Sequence, residues 1–84
     1  KEKLLFIRSV YQMALILRAA DELKIIMARS LNSVFKNIVP YLSTPYRENI
    51  SYDSMRSKSY AAEVRDKEIA TETLQRMIKK ISEY

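Results

Sequence analysis

The sequence predicts an all-α fold, an antiparallel helical hairpin, and three observations predict it. There is no glycine in 84 residues. Glycine is the usual residue for the φ > 0 positions of hairpin turns, bulges and phosphate loops. From Lys1 to Val39 there is no proline either, and apolar residues recur there at steps of three or four: Phe6, Val10, Met13, Leu17, Ala20, Leu23, Met27, Leu31, Val34 and Ile38. That is the period of one helix face. The prolines, Pro40 and Pro45, bracket one short segment that divides the chain. The hairpin is a long helix over about 3–39, a turn over 40–45, and a second helix or two helices over about 45–84.

The first helix is apolar on more than one side in its early part. Leu4, Ile7, Tyr11, Ala14 and Leu15 lie opposite the main stripe, and a helix apolar all round is buried on more than one side. Leu4–Ala20 can also be read as extended, but nothing inside it makes a tight turn. Asp21–Val39 has a cleaner polar face. A continuous helix over this length would span roughly 58 Å, whereas a compact domain of this size has a radius of gyration of about 12 Å. The helix therefore bends or finds cover on a second chain. A break fits near Arg18–Glu22 or Ser30–Ser33.

In the segment from Pro40 to Pro45, Thr44 can cap a restarting helix. Pro45 suits the first helical position, where a missing N–H costs nothing. The stripe beyond it, through Ile50, Val64, Leu74, Ile78 and Ile81, is interrupted by polar members. A recap at Ser51 or Asp53 is expected. Glu63–Lys67 and Glu72–Arg76 have favourable i,i+4 spacing on a solvated face.

Composition excludes several chemistries. With no cysteine and no histidine there is no thiolate nucleophile or zinc site, and the commonest general base is missing. No phosphate loop, dinucleotide fingerprint or EF-hand loop is present. No cofactor is implied. The net charge of +5 and pI near 9.6 suit an acidic or polyanionic partner, and they also keep a small domain soluble. The ends, Lys1–Lys3 and Lys79–Lys80, are locally basic. No membrane span or signal peptide is readable, so an intracellular, cytoplasmic protein is expected. The start at Lys1 fits a single helical domain, 1–84, cut from a longer chain.

The functional expectation follows from a mismatch. The second arm is too polar to cover the two-sided first arm, and a contiguous apolar patch marks an interaction surface. The expected surface comprises Leu4, Phe6, Ile7, Val10, Met13, Leu17, Met27 and Leu31. Two hairpins would pair as a homodimer resembling a four-helix bundle, or another helical protein would take that place. Leu17→Asp or Met27→Asp is expected to unfold or dissociate the protein. A non-enzymatic interaction module is the first reading. Nucleic-acid binding is the alternative, through Tyr46, Arg47, Arg56 and Lys58, because aromatics interleaved with cations stack bases and hold phosphates. Lys24, inside the apolar stripe, is read as a lysine whose ammonium reaches water.

Three short pieces also resemble the all-helical chorismate mutases: Glu2-Lys3-Leu4-Leu5-Phe6-Ile7-Arg8, Thr44-Pro45-Tyr46-Arg47-Glu48 and Leu74-Gln75-Arg76-Met77-Ile78. The resemblance implies an enzyme that binds a dicarboxylate. Its contacts would be Arg8, Arg47 and Glu48, with Lys24 or Lys36 as further cations. Arg29 and Lys36 stand closer together than that family's helix arginine and lysine. No counterpart of its C-terminal glutamine precedes Tyr84.

Overall fold

Ser9 decides where the first helix starts. Its side chain accepts a hydrogen bond from the backbone N–H of Gln12 (3.3 Å), and the Gln12 Oε1 accepts from the N–H of Ser9 (3.0 Å). This reciprocal capping box satisfies two N–H groups that have no partner within a helix. In a computed structural model that describes residues 2–84, α1 therefore runs over Val10–Glu22. Before it, Leu4–Leu5 form strand β1 and the chain bends at Ile7–Arg8.

The expected long helix is not continuous. Leu23 caps the end of α1, Lys24 turns into the left-handed region at φ 59°, and the chain stays non-helical until Ser30. The bonds are those of a Schellman stop: Lys24 N–H to Asp21 C=O (3.1 Å) and Ile25 N–H to Ala20 C=O (2.9 Å). Ser30 then caps α2, Leu31–Ile38, by accepting from the N–H of Ser33. The break falls between the two places that the sequence marks for one. Its cause is tertiary. Folding α2 back buries Val34 and Phe35 against Val10, Met13, Ala14 and Leu17 of α1, and that burial outweighs local helix continuity.

The connection between the arms also departs from a plain hairpin turn. A short 3-10 turn, Val39–Tyr41, leads into strand β2, Leu42–Ser43. It pairs parallel with β1, Leu4 opposite Leu42 and Leu5 opposite Ser43. The fold is thus mostly helical with a small two-stranded sheet. Thr44 does cap, but it caps a tight turn and not a helix. Its hydroxyl accepts from the N–H groups of Tyr46 and Arg47, and its backbone exchanges two hydrogen bonds with Arg47. Proline's fixed φ suits the second position of such a turn as well as a first helical turn, so the sequence signal was shared by both.

Ser51 caps α3, Tyr52–Tyr60, as the sequence suggested. A further break at Ala61–Glu63 separates it from α4, Val64–Ser82. Here the Asp66 Oδ2 accepts from the N–H of Glu63 at 3.1 Å. The core gathers on α1, which packs against α2, α3 and α4. Phe35, Met13 and Met55 are its largest fully buried apolar side chains, with Ile50 and Val39 beside them. The radius of gyration is 12.8 Å and the longest dimension 34 Å. The chain has folded back on itself within a length that the straight helix would have exceeded. Lys1, part of the basic N-terminal run, lies outside the described residues.

Candidate functional site

Two surface features stand out, and both are set by helix ends. The first is a cleft at the start of α1, where its capping box meets that of α4. The buried Gln12 side chain donates from Nε2 to the Asp66 Oδ1 (3.1 Å) while its oxygen holds the Ser9 N–H. One carboxylate thus serves two helix N-termini, where negative charge is favoured by the exposed N–H groups. The cavity above it, about 560 Å³, is walled by Arg8, Tyr11, Tyr46, Glu63 and Arg65. An adjoining recess of about 290 Å³ is lined by Ser9, Tyr11, Tyr46, Arg47 and Lys58. The Lys58 ammonium stands over the Tyr11 ring at 5.1 Å. Tyr46 is 82% exposed.

Tyr46, Arg47 and Lys58 thus come together, while Arg56 lies exposed on α3 outside both cavities. Tyr11, Arg8 and Arg65 join the cleft; of these the sequence grouped only Arg8 with Arg47, through the mutase resemblance. The S-x-x-Q spacing of Ser9–Gln12, a capping-box pattern, is the sequence signal that marks the α1 N-terminus there. Of the residues that the mutase resemblance singles out, Arg8 and Arg47 line adjoining cavities and Glu48 lines neither. Lys24 occupies the α1 stop. Lys36 stands over the Tyr52 ring at 4.7 Å. The long first helix expected from the apolar period is broken at 23–30.

The second feature is the far half of α4. From Leu74 to Tyr84 every residue is exposed. Leu74, Met77, Ile78 and Ile81 recur at helical spacing, so one apolar ridge stands in solvent, with Ile78 66% and Ile81 63% exposed. The near half of the helix is held by Ala70, buried beside α1, and by Arg8, whose Nε donates to the Thr73 hydroxyl at 2.8 Å. Along the same face, Leu15, Ile16 and Ala19 of α1 and Ala70 and Leu74 of α4 line a shallow groove of about 290 Å³.

The eight residues expected at an interface divide by depth. Val10, Met13 and Leu17 are buried in the core, and Phe6 and Leu31 pack against it. Leu4, Ile7 and Met27 are exposed. Neither Glu63–Lys67 nor Glu72–Arg76 closes into an ion pair. Among the described residues the only salt bridge is Arg18–Glu22, at 2.9 Å. No helix among them is long and apolar enough to cross a membrane. No group of three or more Asp or Glu among them is placed to hold a metal ion. Comparison with protein-family models, with curated proteins and with solved structures found no match.

Proposed function

We propose that this protein is a non-enzymatic helical interaction module whose association surface is the uncovered face of α4. The observation that carries this reading is the ridge of Leu74, Met77, Ile78 and Ile81. Ile78 and Ile81 stand largely in water, and Leu74 and Met77 are only partly covered by the chain's own residues. Covering them would stabilise a complex by about 25 cal/mol for each Å² removed from water. Leu4, Leu5, Ile7, Leu23, Ile25 and Met27 are exposed as well, but they lie in short strand and connection segments, whereas the α4 residues share one regular helix face. The partner is a second copy or another helical protein. Hetero-association would use the same stripe, as in helix-in-groove recognition.

The test is a photo-crosslinking amino acid placed at Ile78 in the full-length protein in its cells. A discrete covalent adduct to a polypeptide, absent when the probe sits at Lys36, is the expected result. The absence of any adduct at Ile78 would overturn the reading.

A second reading rests on the recess where Tyr46, Arg47 and Lys58 meet Tyr11. Two aromatic rings with two cations suit a single-stranded nucleic acid, by stacking and phosphate contact. In the neighbouring cavity Glu63 and Asp66 offset Arg8 and Arg65, so the cationic contact is strongest in this one small recess. Affinity for a short single-stranded oligonucleotide should then fall steeply with salt, and Arg47→Ala should flatten that slope by roughly one. Binding indifferent to salt, or to Arg47→Ala, removes this reading.

A further inference from the structure

The uncovered face of α4 is built in two unlike halves. Lys67, Thr71, Leu74, Ile78 and Ile81 follow one another by four, three, four and three, so they form one stripe. Before Leu74 the stripe is flanked by α1 and forms the groove of Leu15, Ile16, Ala19, Ala70 and Leu74. After Leu74 the stripe has no neighbour and forms a bare ridge. A groove and a ridge of matching chemistry therefore lie end to end on one helix.

We propose that the occupant of this face is a second copy of the chain, docked antiparallel along α4 about a two-fold axis at Leu74. The inference rests on the association reading above and names its partner. Residues equally distant from the axis face each other across it. Ile78 of one chain therefore lies against Ala70 of the other, in the groove beside Leu15 and Ala19. Ile81 lies against the aliphatic stem of Lys67. The two Leu74 side chains meet at the centre. Each ridge fills the other chain's groove, so the contact is self-complementary and closes at two chains.

Charge selects this arrangement over others. The half of α4 before Leu74 carries Asp66, Glu68 and Glu72 with Arg65 and Lys67. The half after it carries Arg76, Lys79 and Lys80, with no acid up to Ser82. Antiparallel docking sets the basic half of each helix along the acidic half of the other. Glu68 and Lys79, both exposed on the same flank of the stripe, come within reach of each other twice. Parallel docking would instead set three cations beside three cations, and like charges across an interface oppose association. An acidic helix from another protein would match the ridge half alone and leave the groove half facing like charge.

The chain has no cysteine, so single-cysteine variants report the register directly. In the full-length protein, Leu74→Cys should form a disulfide-linked dimer on mild oxidation. Ile78→Cys should not, because its two copies would stand eight residues apart along the helices, about 12 Å, beyond the roughly 7 Å Cα reach of a disulfide. Sedimentation of the unmodified protein should show a concentration-dependent dimer. E68K should weaken that dimer several-fold and the added K79E should restore it, with circular dichroism unchanged throughout. Equal crosslinking by Leu74→Cys and Ile78→Cys, or no rescue by K79E, would overturn the antiparallel register. A monomer at every concentration, with the Ile78 photo-adduct going to a different protein, would overturn the second copy while leaving the association reading standing. A monomer with no adduct would remove both.

Discussion

Lys24 holds a backbone conformation that a lysine adopts only at a cost. Its φ of 59° brings Cβ close to the following carbonyl, a penalty of roughly 1–2 kcal/mol that glycine escapes. The Schellman bonds of Lys24 and Ile25 hold it there. Lys24→Gly should therefore raise stability by about 0.5–1 kcal/mol, seen as a rise of a few degrees in the thermal midpoint. A fall would mean that α1 does not end there in solution. Arg18 works in the other direction. Its guanidinium donates to the Ser59 carbonyl at 3.0 Å, pairs with Glu22, and lies 4.1 Å over the Tyr60 ring. Ser59 belongs to the last turn of α3, where carbonyls lack helical partners. Arg18 thus ties α1 to the end of α3. Arg18→Ala should cost about 1–2 kcal/mol by chemical denaturation, and Arg18→Lys should recover only part of it.

At the scale of elements, α4 is divided between a held half and a free half. Its near end is fixed by the Gln12–Asp66 hydrogen bond, by Ala70 and by Arg8 on Thr73. Asp66→Ala removes an acceptor from two capping arrangements at once, so a loss of about 1–2 kcal/mol is expected in the unfolding free energy. The far end behaves oppositely. Ile78→Asp and Ile81→Asp remove nothing from the core, so the thermal midpoint of the dilute monomer should stay within about 0.5 kcal/mol of equivalent stability. A large loss of stability would show that the ridge is covered within a single chain.

Over the whole molecule, a small core sets the tolerance to change. Phe35 is fully buried between α2 and its neighbours. Phe35→Ala should cost about 3–5 kcal/mol, a large share of the 5–15 kcal/mol typical of a domain. The near-ultraviolet signal of its tyrosines should then be lost in the absence of denaturant, or close to it. Leu17→Asp should unfold the chain in the same way, since it places a charge in the core. Met27, 77% exposed in the 23–30 connection, separates from Leu17 on this test. Met27→Asp leaves the monomer folded and can act only on association.

What the sequence by itself determined is the chemistry of the chain and most of its helical content. The 3.6-residue period marked 3–39 and 45–84 as helical without dividing either arm, Ser51, one of two cap candidates, caps α3, and the missing cysteine and histidine removed thiol, zinc and imidazole chemistry. The sequence also led to an expectation of uncovered apolar surface, on the first arm. Only the tertiary structure decided where. The apolar period runs unbroken through Leu23 and Met27, and no glycine marks the stop at Lys24, so local pattern cannot show that the helix ends. The stop exists because Phe35 and Val34 find burial only if α2 folds back on α1. That turn takes Val10, Met13, Ala14 and Leu17 of the first arm into the chain's own core and leaves Leu4, Ile7 and Met27 exposed. The exposed apolar residues that share one helix face stand on the far half of α4, beyond the reach of α1. A period in sequence gives a face to each helix, but which faces meet depends on contacts between residues far apart in the chain, and no local signal carries that information.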